Sequence, residues 1–432
     1  LVGPPVEKLG PLVSDARKFP PAPDRPDPPG AWPAARATAK RLISPLERFL
    51  SVEASSGILL LLAALAALVW ANSPGRAAYE NLLHAPLGFR VGRFAFERNV
   101  DFLVDDVLMV VFFFVVGLEI KREVRAGELS ELRKAALPAF AALGGMLVPA
   151  GIYLLFNAGT AAVGGWGIPM ATDIAFAVGI LALLGKRVPA PLRILLLALA
   201  VIDDLGAIIV IALFYSSGIG VVGLAVAAGG VLLIFLMQKL GVRSPWAYIL
   251  PGIVIWAGTY AGGVHPTIAG VVIGLCTPIR AWPQREAESP LERLQGSLHG
   301  WVAFAIMPVF ALANAGVSLD AARLAGGGAT VMIGVVVGLV VGKPVGIMVV
   351  SWLAVRAGLA ALPSGVRWSG VLVVGLVAGI GFTMALFIAT LAFPPGPLIE
   401  VAKLAILMAS LVAGAIGLVV GRFLLPAART QP

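Results

Sequence analysis

The sequence predicts an all-α polytopic membrane protein with about 12 transmembrane helices. Three observations carry that expectation. Hydrophobic residues make up 59% of the chain and charged ones only 13%, about half the charged share of an ordinary soluble domain. Apolar runs of roughly twenty residues recur, the length that a hydrocarbon core about 30 Å thick asks of a helix. Basic residues gather in every second connection, as they do on the cytosolic side of membrane proteins. A single cysteine, Cys276, excludes an intramolecular disulfide and any Cys-rich metal site, and three scattered histidines (His84, His265, His299) argue against a histidine metal centre. The net charge of +9 is read through loop orientation rather than as a nucleic-acid footprint.

In chain order, residues 1–45 are Pro-rich and polar (FPPAPDRPDPPGAWP) and read as a disordered cytosolic tail. Within it, 38–50 is an amphipathic piece on the membrane surface or a solvated lead-in. The transmembrane domain covers 46–425, and 426–432 is a cytosolic C-terminal tail. Spans fall near 54–72, 101–120, 136–157, 167–185, 192–215, 219–238, 246–260, 264–279, 297–316, 329–355, 369–392 and 401–424. Lys121, Arg122, Arg125, Arg133 and Lys134 follow span 2, and Lys186 and Arg187 follow span 4. Lys239 and Arg243 follow span 6, Arg280, Arg285 and Arg293 span 8, and Arg356 and Arg367 span 10. The connections 158–166, 216–218, 260–264 and 393–399 carry no Lys or Arg. This alternation places both termini in the cytosol. One connection disagrees: 73–100 holds Arg76, Arg90, Arg93 and Arg98. Its GFRVGRFAFER reads as a hairpin turning near Val91 and Gly92, whose open edge invites a second copy, or equally as an amphipathic loop on the headgroups.

Three spans are irregular. Span 4 has Pro169 just before Thr172 and Asp173, and span 11 has Gly375, Gly379 and Gly381 ahead of Thr383. Interrupted helices at membrane depth are tolerated only inside protein or along a cavity. Span 10 repeats glycine at 334, 338, 342 and 346, a smooth face for close helix contact, with Lys343 beside it. Spans 4 and 11 cross in opposite directions, so spans 3–5 and 10–12 fit an inverted repeat whose broken helices 4 and 11 meet at the midplane, a known architecture of secondary transporters.

The chemistry gathers on span 5. LRILLLALAVIDDLGAIIVIALFY puts Asp203 and Asp204 ~17 Å from either end of an apolar run. A carboxylate at that depth costs several kcal/mol, roughly 2.5–3.5 for one Asp, and the default reason for such a residue is an ion or proton path. Such a pair can hold protons or a small hard cation, for which oxygen ligands are suited. Neighbouring residues on a helix point about 100° apart, so one carboxylate faces a funnel while the other meets a neighbouring helix. Helix ends at two breaks would present partial positive charge to Asp173 and partial negative charge to Lys343. Lys343 reads equally as a counter-charge, a proton carrier or a partner of Asp203. Asp105 and Asp106 lie nearer the outer end of span 2, where Asp106 is an interfacial residue or part of the path. His265 is a helix-end histidine or a pH-responsive one.

With these motifs in view, the chain resembles the NhaA family of bacterial Na+/H+ antiporters. SSGILLLLAALAALVWANS, DDVLMVVFFFVVGLEIKRE, GIPMATDIAFAVGILALLGKRVP, LALAVIDDLGAIIVIALFY, GVHPTIAGVVIG, FALANAGVSL, VGKPVGI and GIGFTMALFIA carry the resemblance, over roughly 46–425. That family is itself a standard example of the inverted-repeat architecture. The resemblance implies that spans 4 and 11 are broken and crossed, and that Asp203 and Asp204 bind Na+ or Li+ and protons. It sets Thr172 and Asp173 beside a broken helix, and Lys343 as the partner of Asp203 that balances helix ends. It makes Asp106 part of an outer funnel and ties Glu119, Arg122, Glu123 and His265 to pH response. It makes the hairpin, 87–98, a homodimer contact, and implies electrogenic exchange of Na+ or Li+ for H+ in the bacterial inner membrane. One position departs: Gln295, in ERLQGSLHGW, replaces an acidic residue that the family uses in pH sensing. No cofactor, nucleic-acid partner or enzymatic activity is expected. An intramembrane aspartyl protease would take its two aspartates from different helices, unlike VIDDLG, and a retinal pump would not have twelve spans. A sodium-coupled solute symporter and a K+ antiporter are the nearer rivals.

Overall fold

The computed structural model describes residues 54–91, 94–216, 218, 220–281, 288–319 and 327–425. They belong to one unit, Leu50–Pro432. The expected tails, 1–45 and 426–432, and the amphipathic piece at 38–50 lie outside the described residues.

Helix α1 (Ala54–Ala71) turns sharply, by 117°, into the short α2 (Arg76–Leu83). Strands β1 (Pro86–Val91) and β2 (Phe94–Asn99) then pair antiparallel, with Pro86 opposite Asn99 and Val91 opposite Phe94. The 73–100 connection thus holds a short helix followed by a β-hairpin. Asn99 caps the next helix by accepting the Phe102 N–H at 3.1 Å. That helix, α3 (100–126), opens into a wide π turn at Leu103–Leu108. There follow α4 (Leu132–Asn157), a 3-10 segment (Val163–Met170), α5 (Ile174–Leu183) and α6 (Ala190–Phe214). Next come α7 (Val221–Lys239), α8 (Ile249–Ala261) and α9 (Thr267–Cys276). Helix α10 (Pro290–Asn314) starts at a capping box formed by Ser289 and Glu292. Helix α10 widens into a second π turn at Val302–Ile306, and a third interrupts α11 (Gly328–Arg356) at Gly338–Gly342. The chain ends in α12 (Trp368–Ala378), α13 (Phe382–Ala392) and α14 (Pro397–Leu424).

The protein is thus an all-α polytopic membrane protein. Among the described residues, seven helices are long and apolar enough to cross a bilayer alone, and nine crossings result if the two bent pairs are each counted once. The three remaining expected spans fall short for physical reasons. Helix α3 is long, but it carries Asp101, Asp105 and Asp106 at one end and Glu119, Lys121, Arg122 and Glu123 at the other. Helices α8 and α9 have 13 and 10 residues, about 20 and 15 Å of helix against a core of about 30 Å. Helix α9 is packed closely on α3, whereas α8 keeps Ile249, Leu250 and Ile253 exposed. Added side-chain carbons at Gly270 and Gly274 of α9 would meet Val110 O at 2.2 Å and Phe114 O at 2.6 Å on α3.

Lipid tails supply no hydrophobic drive between helices, so close backbone approach does the packing. The glycine ladder of α11 lies along α4 and the 3-10 segment. A carbon on Gly338 would meet Pro169 at 2.8 Å, one on Gly342 Ile152 at 2.8 Å, and one on Gly346 the carbonyl of Gly144 at 2.1 Å. Leu155, Val222 and Phe423 are largely exposed on the outside, as lipid-facing residues should be, while Leu199, Leu339, Val374 and Phe387 fill the interior. Replacing Gly346 by Val must push α11 off α4 at the height of Lys343. We expect a cost of about 1–3 kcal/mol, seen as a lower thermal unfolding midpoint in detergent. Gly151→Ala, whose new methyl meets nothing within 4 Å, should leave that midpoint unchanged.

Candidate functional site

Two interruptions of the backbone meet inside the bundle. The first is the extended stretch 171–173 between the 3-10 segment and α5, and the second is 379–381 between α12 and α13, which bend by 48°. They touch directly. The Asp173 N–H donates to Ile380 O at 2.7 Å, and the Thr172 hydroxyl donates to Ala378 O at 2.9 Å. Gly381 permits the approach, because a side-chain carbon there would meet Ala171 O at 3.2 Å, and Gly379 lets α11 come close, where one would meet Leu339 O at 2.5 Å.

Each break exposes helix ends that have lost their partners. Asp173 serves two of them. Its Oδ1 accepts the Phe176 N–H at 3.0 Å, capping α5. Its Oδ2 accepts the Thr383 N–H at 3.1 Å and the Thr383 hydroxyl, capping α13. One carboxylate therefore faces two positive helix ends. On the opposite sign, Lys343 Nζ donates to Met170 O at the end of the 3-10 segment and to Asp203 Oδ2 at 2.8 Å. Lys343 is 0% exposed and follows directly on the π turn of α11. Such widened turns cluster at functional sites.

Asp203 and Asp204, at 1% and 2% exposure, lie near the middle of α6. Asp203 turns to Lys343, and Asp204 lies within electrostatic reach of Asp173, Glu119 and Lys343. Oδ1 of each is buried without a hydrogen-bond donor. A bare buried carboxylate oxygen costs on the order of 1–3 kcal/mol or more until something fills it. A proton or a small hard cation does so. Among the described residues no cluster of three His, Cys, Asp or Glu could hold a metal ion.

The other expected residues fall into two groups, one of which reaches Asp204 electrostatically through Glu119. At the far end of α3, Arg122 donates to Gln295 Oε1 at 3.0 Å and lies 3.5 Å from Glu123 and 3.9 Å from Glu119. His265 is not with them. Its Nε2 is 3.5 Å from Asp106 Oδ1, its Nδ1 is 2.8 Å from Thr267 Oγ1, and its ring meets Phe387 edge-on. Sequence reading missed Thr383 as the second partner of Asp173 and Met170 O as the second partner of Lys343. Thr383 directly after a glycine cluster was the available signal for the first. A backbone carbonyl leaves none for the second.

Known proteins match the chain over most of its length. Residues 47–420 match the family described as Na+/H+ antiporter 1. The Na+/H+ antiporter NhaA 2 of Myxococcus xanthus is 55% identical over 92% of this chain and 93% of its own. That of Sorangium cellulosum is 53% identical over 92% and 94%, and the antiporter NhaA of a Janthinobacterium strain is 48% identical over 93% and 97%. Among solved structures, the sodium proton antiporter MjNhaP1 of Methanocaldococcus jannaschii superposes with a TM-score of 0.52, at 12% identity, over 91% of this chain and 97% of that one. That likeness concerns the fold alone. The long sequence matches go further, and by them the chain belongs to the NhaA family of Na+/H+ antiporters.

Proposed function

We propose that this chain exports Na+, or Li+, in exchange for H+ by alternating access, with Asp203 and Asp204 as the shared binding pair. The observation that carries the reading is the pair of bare Oδ1 atoms on adjacent buried carboxylates beside Lys343 and the crossed breaks. A site with two unsatisfied acceptors takes up protons or a cation but not both at full occupancy, so each ion displaces the other. When a cation occupies Asp203, the Lys343 ammonium loses its carboxylate partner and keeps only Met170 O. The lysine therefore senses occupancy through a direct contact.

In this reading the fold crosses the bilayer twelve times, with α4–α6 and α11–α14 as inverted halves. The convergence of two helix N-termini on Asp173 favours that relation. Exchange of one Na+ for more than one H+ moves net charge, and each charge is worth about 2.3 kcal/mol per 100 mV. The hairpin formed by β1 and β2 offers open edges to a second copy, which supports a homodimer. The Arg122–Gln295 contact gives Arg122 a neutral acceptor at this end of α3.

Asp204→Asn should reduce Na+-driven dequenching of a pH-sensitive dye in everted vesicles to background, with folded yield unchanged. Full activity in that variant would remove the site assignment, and solute uptake with Na+ would then be examined. Gln295→Glu gives Arg122 a third carboxylate and should move the pH of half-maximal exchange by about half a unit or more. An unchanged profile would mean that this end of α3 does not set it.

A further inference from the structure

At the end of α10 remote from Gln295 lies a polar junction outside the ion site. Asn314 closes the helix and is buried. Its amide nitrogen donates to Asp105 Oδ1 at 2.7 Å and to Phe310 O at 3.3 Å, while its amide oxygen accepts from Lys403 Nζ at 3.0 Å. Two opposite charges thus meet through one neutral amide. They come from different parts of the bundle. Asp105 sits in the π turn of α3, which packs on α9 and α10. Lys403 sits in the second turn of α14, which packs on α11, α12 and α13, the elements that hold Lys343 and the second break. Helix α14 has no extended packing against α3 or α10, so polar side chains make the junction. A second link runs alongside, where the Ser318 N–H donates to Glu400 Oε2 at 3.2 Å, one turn before Lys403.

We propose that Asp105, Asn314 and Lys403 form a gate holding the outer end of the α3–α10 pair against the α11–α14 bundle, and that it must part before the ion site opens outward. The inference rests on the alternating-access reading and on the sidedness inferred from loop charge. A half-buried pair of charges bridged by an amide is a poor device for stability, since well-packed apolar groups hold as well or better. What it supplies is two distinct states. Joined, its members satisfy one another, and parted, each is satisfied by water in an opened vestibule. The neighbouring residues share the division of labour. Asp105 ties α3 to α10 and α14, whereas Asp106 turns to His265. Phe310, one turn inside Asn314, is fully buried and packs with Phe387. It marks the layer that the gate would uncover.

The test places a thiol in that layer, Phe310→Cys in a Cys276→Ser background, and follows its labelling by a membrane-impermeant maleimide from the outside. Na+/H+ exchange is measured in the same preparation. With the gate intact labelling should be slow. Lys403→Met should speed it by about fivefold or more, as expected when the outward-open population rises by that factor. Asp105→Asn, which keeps the shape and loses the charge, should do the same and carries the test if Lys403→Met fails to fold. The exchange of both charges, Asp105→Lys with Lys403→Asp, requires that the Asn314 amide turn over and give up its long bond to Phe310 O, and should restore slow labelling. Variants that exchange ions but label at the parental rate would overturn the proposal, as would a double exchange that labels as fast as the single variants. A parent that labels slowly yet exchanges no Na+ for H+ would instead contradict the antiport reading.

Discussion

A helix interrupted inside a membrane leaves N–H and C=O groups with no water to turn to. Here two such interruptions lie against each other, and one aspartate and one lysine answer most of the resulting demand. Asp173 receives the N–H groups that begin α5 and α13. Lys343 takes the carbonyl end of the 3-10 segment. The crossing is held by backbone and threonine contacts between the breaks. Remove Asp173, and two positive helix ends face each other with nothing between them; remove Lys343, and the Met170 carbonyl loses its donor.

That constraint makes the site responsive. Lys343 has two obligations, Met170 O and Asp203 Oδ2, and in the antiport proposed above only the second competes with an arriving ion. Asp203 is therefore half satisfied, while Asp204 has repulsive neighbours in Asp203, Glu119 and Asp173. The glycine ladder of α11 serves the same end, because it brings α11 against α4 and the 3-10 segment closely enough for Lys343 to reach Met170. Packing, helix-end electrostatics and ion chemistry meet in that one ammonium group.

Much of this was legible in the sequence, because a membrane makes certain residues conspicuous. Two aspartates in the middle of an apolar run announce a site, and glycines four residues apart announce a helix contact. The breaks were signalled by Pro169 and by Gly379 and Gly381. The partners across the breaks were not, since the Asp173–Ile380 contact joins backbone atoms far apart in the chain. The π turns at Leu103–Leu108 and Gly338–Gly342 shift the register by one residue without a compositional trace. Nothing in the sequence sets Lys403 or Asn314 apart from other polar residues near helix ends. Their link to each other and to Asp105 needed the three-dimensional arrangement. The hairpin was one of two open readings, which hydropathy could not separate because strand and surface loop share the same alternating residues.

Competition between Na+ and H+ for one carboxylate pair is the central claim, and binding tests it without transport. We would titrate the purified wild-type protein with Na+ calorimetrically at several pH values, in buffers of different protonation enthalpy. The account predicts that Na+ binding releases protons, and that the apparent Kd rises by about tenfold per unit of falling pH for each proton displaced. Binding of Na+ with no proton release and a pH-independent Kd would contradict it.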